Sequence, residues 1–437
     1  MSEHPFLAAL RATETLARTG RVTRILPTSI EADGPGVPIG TLCDIAAGET
    51  GLLARVAAVR DDAVVLVPFE DATAAFPGAP VVARPHGQSV PVGDAFLGRA
   101  VDAFGDPLDS LGPLAAAVHR PLHPPLPSPL DRVSPDARVD TGIRALDGLL
   151  TLGRGQRVGI FAAAGVGKTS LLAQLARQVE ADRCVLCLVG ERGREVEALW
   201  AGALPDEVRA RTVLVAATSD RSAATRARAC DYALALADHW RSEGHHVLLL
   251  LDSVTRLAMA LRELGLAAGE PPTVRAYPPS VFSALPRVAE RCGALRGGGA
   301  ITAAMTILAE TDDNDDPIVE VMKSLLDGHV VLSRTLAERG QFPAIDVPRS
   351  ISRLASALLD ADDLARAREA AALLSTYESS RMMIEAGVYV PGSSAEVDSA
   401  VAARPGLLDF LRQGEAERST PGETRAALAA ALSGAGR

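Results

Sequence analysis

A lysine and a threonine side by side after a glycine turn have a definite chemical use, which is to hold the phosphates of a nucleotide. They stand here as Lys168 and Thr169 in RVGIFAAAGVGKTSLL (157–172), where an apolar run ends in small residues and a helical pattern begins. Backbone N–H groups at such a helix start have no intrahelical partner and face outward. Gly165 and Gly167 carry no Cβ, so phosphate oxygens can approach the backbone from Ala163 and Ala164 through Gly165, Val166 and Gly167, with Lys168, Thr169 and Ser170 completing the cradle. Lys168 would reach the β and γ phosphates as a point charge, and the Thr169 hydroxyl would be a ligand to the Mg²⁺ that bridges them. Where such loops usually carry their first glycine, this chain has Ala162.

Two carboxylates complete the chemistry. Asp252 closes the apolar run VLLLLD, a place from which it would hold Mg²⁺ through its water shell. Glu191, in GERGREVEAL, follows another such run and could polarise a water in line with the γ phosphate. Charge pattern alone leaves open that Glu191 is a surface residue paired with Arg192 or Arg194.

The elements that must position these groups are strands alternating with helices. CVLCLVG from Cys184, TVLVAA from Thr212, VLLLLD from Val247 and AITAAMTIL from Ala300 are near-continuous apolar runs separated by helical patterns. That arrangement predicts an α/β fold whose mostly parallel sheet is covered on both faces, with ligands at the carboxyl ends of its strands.

The chain has 437 residues, enough for several domains. Residues 1–20 read as a short amphipathic docking helix through Phe6, Leu7, Leu10 and Leu16. Residues 21–92 read as a small β-barrel, from short β-rich pieces between Gly, Pro and Asp turns. Residues 93–354 hold the nucleotide core, and 355–437 a helical, Ala-rich domain with breaks near 387–394 and at Pro405. The prolines of RPLHPPLPSP stiffen a connecting segment, and GLAAGEPPTVRAYPP (265–279) reads as a long loop.

No apolar run approaches the roughly 20 residues of a membrane helix, and the first residues lack a secretory pattern, so a cytoplasmic protein is expected. A net charge of −10 and only 3% aromatics argue against a nucleic-acid surface. The five cysteines read as reduced thiols, and Cys184 with Cys187 as packing residues on opposite strand faces. His245 and His246 read as surface residues. The partial calcium-loop pattern at Asp312, Asn314 and Asp316 fails, because Pro317 stands where glycine is needed and Lys323 where a bidentate Glu is needed.

Several segments, namely GERGREV, LLLLDSVTRLA, AGEPPTVRAYPPSVFSALPRVAERCG, LLDGHVVLSRTLAERGQFPAIDVPRSISRL and TLGRGQRVGIF, together resemble the ATPases of type III protein secretion, flagellar or injectisome. These are relatives of the catalytic β subunit of rotary ATP synthase. The likeness runs from about Gly20 into the C-terminal region, and AGEPPTVRAYPP leans to the injectisome branch. It implies a RecA-like P-loop core between an N-terminal barrel and C-terminal helices, and an Ala at position 162 is common in that family.

Carried over by position, the resemblance implies that Glu191 is the catalytic carboxylate, with Arg192 near the γ phosphate and Arg256 near the nucleotide. Phe342 takes the place, more often Tyr, that stacks on adenine, and Arg353 that of an arginine finger inserted from a neighbouring subunit. The loop at 265–279 would face a central channel. It further implies ATP and Mg²⁺, a homohexamer, stator and central-stalk partners, export substrates with their chaperones, and a station at the inner membrane. A non-catalytic ring subunit, lacking phosphate release, and an RNA translocase, stimulated by RNA through Phe69 and Phe76, are the competing readings.

Overall fold

The computed structural model describes residues 17–48, 51–84, 88–115, 118–309 and 316–433. Most of the expected docking helix, residues 1–16, lies outside them, as do Asp312 and Asn314. Thr19 and Gly20 already belong to the first strand, so a helix does not extend to residue 20.

Six short strands close into an antiparallel barrel. Their spatial order is Thr19–Ile25, Ile30–Ala32, Val64–Pro68, Leu52–Val59, Leu42–Ile45 and Pro80–Ala83, and the last returns to pair with the first, Val82 opposite Thr19. Alternation produces this: along Leu52–Val59, Leu52, Ala54 and Val56 turn inward while Leu53 and Arg55 stand half-exposed. Val22, Ile30, Ile45, Leu66 and Val81 fill the interior. The barrel ends at Ala83, short of the expected residue 92. Closure leaves it no free edge, so Ser89–Val92 pairs instead with Val118–Pro121, and Val90 and Val92 pack into the nucleotide core.

That core is built on a sheet in the order Ile351–Ser352, Gly328–Leu332, Arg157–Ala162, Ala300–Leu308, His246–Asp252, Arg183–Val189, Thr212–Ala217 and Ala100–Val101. Along this order all neighbours are parallel except the short edge strand Ile351–Ser352; off it, Gly293–Leu295 pairs antiparallel with Ala300–Leu308. Both faces are buried. Val185, Cys187 and Val189 enter one apolar cluster under the helices Ala223–Ser242 and Val254–Ala267, and Cys184, Leu186 and Leu188 enter the other under Lys168–Gln178. Cys184 and Cys187 therefore point to opposite faces, and all five cysteines are unpaired and buried; burial pushes the Cys184 thiol up to about 11.

Among the described residues a short helix, Ala355–Leu358, and three longer ones follow, Ala361–Glu385, Ala395–Leu411 and Pro421–Ser433, the first two of the longer ones capped by the side chains of Asp360 and Ser394. Pro405 does not break the helix Ala395–Leu411. A proline there withholds one N–H from the carbonyl four residues back, and Val401 is exposed, so solvent can serve that carbonyl. The expected loop at 265–279 is shorter, because the helix Val254–Ala267 runs through Gly265. What remains carries Arg275 and Ala276 at φ of 50° and 61°, beside the exposed Val274. No helix among the described residues is long and apolar enough to cross a membrane.

His246 is not a surface residue. It opens a central strand, is buried, and its Nε2 lies 2.8 Å from Thr302 Oγ1. Burial, aided by Arg154, lowers its pKa to about 4, so the folded protein keeps it neutral. The unfolded chain takes up that proton near pH 6.5, so stability falls as pH drops from about 6.5 towards 4. Relative to His246→Gln, which has no ring to protonate, the wild type is expected to lose on the order of 2 kcal/mol between pH 7 and pH 5, measured by urea unfolding at both values. Asp316 caps the helix Pro317–Leu325, accepting from the N–H groups of Ile318 and Val319. Phe69 is buried edge-on against Phe104, whereas Phe76 is exposed.

Candidate functional site

The strand Arg157–Ala162 leaves the sheet into the turn 163–167, and the helix Lys168–Gln178 starts directly after it. Gly165 and Gly167 have φ of 78° and 93°, left-handed values that side chains with a Cβ resist. A Cβ added at Gly165 would meet nothing within 4 Å, so the space above it is open to a ligand. Val166 and Ala163 are buried as anchors, while Ala164, Gly165 and Thr169 are exposed and Ser170 is half-buried. No side chain caps this helix, so its first N–H groups face the turn unclaimed by a capping residue.

The neighbouring strand ends bring two carboxylates to Lys168. Its Nζ lies 2.6 Å from Asp252 Oδ1 and 3.5 Å from Glu191 Oε1. Asp252 ends its strand in register with Leu188, and Glu191 follows two residues beyond the end of the adjoining strand Arg183–Val189. Asp252 is held from behind by Thr306, whose hydroxyl donates to Oδ1 at 2.7 Å from the next strand.

Ser253 caps the helix Val254–Ala267, and this places Arg256 in its first turn, with Nη2 donating to Glu191 Oε2 at 3.2 Å. Gly190 makes room for that arginine: a Cβ there would stand 2.9 Å from Arg256 Cδ, and its φ is 73°. Two cations thus flank two buried carboxylates. Burial, with Asp252 close by, pushes the Glu191 carboxyl above the usual range, against the opposing pull of Lys168 and Arg256.

Three of the expected residues stand apart from this cluster in different ways. Phe342 lies against the turn, its ring edge 3.9 Å from the Cβ position of Gly167, with about half its surface exposed and its carbonyl accepting from Gln413 N–H at 2.8 Å. Arg192 is exposed and, among the described residues, pairs with Glu195 alone, at 3.6 Å. Arg353 is exposed just past the edge strand, its Nη2 donating to the Lys323 carbonyl at 3.0 Å and its N–H to the Asp327 carbonyl at 3.2 Å.

Asp327 also binds the backbone of Arg157, at the amino end of the strand whose carboxyl end feeds the phosphate turn. Five residues of strand, roughly 16 Å, therefore separate Arg353's level in the sheet from the turn. Thr306 and Gly190 are the contributors that sequence reading passed over. Thr306 had a signal, a hydroxyl inside the apolar run AITAAMTIL; Gly190 had none, since its need arises from a side chain 66 residues further on.

The donor set suits a hard divalent cation. The Thr169 hydroxyl and the carboxylate of Asp252 are oxygen donors beside an open turn, with no thiol or imidazole among them.

Comparison with known proteins agrees with this geometry. The nucleotide-binding domain of the ATP synthase alpha/beta family matches residues 142–352, and the T3SS EscN ATPase C-terminal domain matches residues 359–430. The flagellum-specific ATP synthase of Bacillus subtilis is 43% identical over 432 residues, 98% of each chain. The type 3 secretion system ATPase of Xanthomonas euvesicatoria is 41% identical over 420 residues, 94% of this chain and 95% of that one. The assembled ATPase EscN of the enteropathogenic E. coli type III secretion system has the same fold, with a TM-score of 0.90 at 40% identity, over 94% of this chain and 100% of that one. With a phosphate turn, two carboxylates and a barrel-to-helix architecture shared along nearly its full length, the chain belongs to the flagellar and type III secretion ATPase family, kin to the α and β subunits of ATP synthase.

Proposed function

We propose that the chain hydrolyses ATP at the interfaces of a homohexameric ring and that this energises type III protein export, flagellar or injectisome. The observation that carries the reading is the convergence of Lys168, Glu191 and Asp252 at one end of the sheet; the hydrogen bonding of Arg353 near the far end of the strand, away from its own chain's turn, supports a role for it in a neighbouring site.

Residues 163–170 bind the phosphates, and Phe342 offers an exposed ring face to the adenine. Lys168, now held by Asp252 and Glu191, turns to the β and γ phosphates as their charge enters. Glu191, oriented by Arg256, takes the proton of the attacking water; burial beside Asp252 raises its carboxyl above the usual range and makes it a stronger base than a free carboxylate. Thr169 and Asp252 would hold Mg²⁺, which when bound neutralises charge on the phosphates. Arg192, exposed at the mouth, adds charge on the γ phosphate side, and Arg353 of a neighbouring subunit completes the site.

Assembly has support in the relatives, since EscN has been solved both assembled and in complex with its central stalk EscO. A stalk partner, stator proteins, export substrates and their chaperones, and a cytoplasmic station at the inner membrane follow from the same likeness. The test is phosphate release by the purified chain. Turnover is expected with Mg²⁺, absent with EDTA, and rising faster than protein concentration as rings form. Zero release at every concentration would return the chain to the non-catalytic ring subunit, and release dependent on RNA would return it to the translocase.

A further inference from the structure

Gln341, the residue before Phe342, lines a cavity of about 260 Å³ between the segment 333–349 and the helices Ala361–Glu385 and Ala395–Leu411. Leu373 and Tyr377 on one helix, and Arg404, Leu407 and Leu411 on the other, recur at helical spacing, so a stripe of each helix opens on this space. The opposite wall is polar, with Ser333, Thr335, Gln341, Asp346 and Arg349; the Asp346 carboxylate accepts from the Arg349 N–H at 3.3 Å. Gln341 is 4% exposed and Ser333 7%, and neither side chain has a hydrogen-bond partner among the described residues. A primary amide brings two donors and two acceptor lone pairs, and at the cavity wall these are left to whatever occupies the cavity.

Water suits the amide but not the leucines, and an apolar filling suits the leucines but not the amide. The mouth adds a cation. Arg404 lies over the Tyr377 ring, 3.9 Å from guanidinium carbon to ring centre, and makes no ion pair with a carboxylate of the described residues. Arg381, by contrast, is committed to Glu378 at 2.7 Å.

We infer that this cavity binds a small organic anion with a flat apolar body, its charged group on Arg404 and a hydrogen-bonding group on Gln341. Occupancy braces the loop that presents Phe342 against the C-terminal helices and so changes nucleotide affinity. The binding stands on the cavity alone; the coupling rests on the role of Phe342 proposed above.

Anilinonaphthalene sulfonate, an aromatic anion whose fluorescence rises in apolar surroundings, is the probe. Titrated into the full chain, it is expected to show one saturable site, weakened about tenfold by Arg404→Gln and lost in Leu374→Trp, which fills the space. Arg404 is half-exposed, so its variant carries the test if circular dichroism shows that Leu374→Trp does not fold. A saturable site of equal strength in Arg404→Gln and in folded Leu374→Trp, or no saturable site in the wild type, overturns the inference. The probe is also expected to shift the affinity for a fluorescent ATP analogue in the wild type and not in Leu374→Trp; a saturable site with no such shift overturns the coupling. Failure of the chain to bind the ATP analogue at all would strike the nucleotide reading and leave the cavity standing.

Discussion

Glu191→Gln is expected to keep nucleotide binding and to lose turnover by about 10² to 10⁴-fold, the usual contribution of a positioned general base. The amide has the shape of the carboxylate and can still accept from Arg256, so the strand end and its arginine should stay in place. What disappears is the proton acceptor. It also removes one of the two anions that hold Lys168, at 3.5 Å, so affinity for a fluorescent ATP analogue should be unchanged or higher. Equilibrium binding and single-turnover phosphate release measure the two halves separately. Phosphate release within about threefold of wild type would remove Glu191 from the chemistry.

Arg353→Ala should cost about 10³ to 10⁵-fold in turnover, the range of an arginine finger, although the side chain touches nothing in its own chain's phosphate turn. The distinguishing experiment is mixing. Chains bearing Arg353→Ala and chains bearing Glu191→Gln are each inactive alone, but an equimolar mixed ring has intact Glu191 facing intact Arg353 at roughly a quarter of its head-to-tail interfaces. Recovery of activity on mixing is the expected result. No recovery, with mixed rings demonstrated by crosslinking, would mean that Arg353 serves its own subunit or none.

What could be read beforehand followed from short-range physics. Runs such as VLLLLD and TVLVAA are apolar because both sheet faces are covered, so strands and their carboxyl ends were visible residue by residue, and with them Glu191 and Asp252. What could not be read depends on pairing between distant segments. Ser89–Val92 alternates like a barrel strand, and only the closing of Pro80–Ala83 onto Thr19–Ile25 excludes it from the barrel. His246 looks like a loop residue beside His245 until Ala300–Leu308 brings Thr302 against its ring. Pro405 reads as a helix break because the solvent beside Val401 is not written in the chain.

The clasp of Lys168 by Asp252 and Glu191 bears on which nucleotides are admitted. An entering anion must draw the ammonium away from two partners at once, and the pull it exerts grows with the number of phosphate charges it brings to the turn. A triphosphate carries charge to both the β and γ positions that Lys168 reaches, a monophosphate to neither. On the proposed reading the two carboxylates would therefore set a threshold, competing with weakly charged metabolites for the same lysine before shape or base recognition begins.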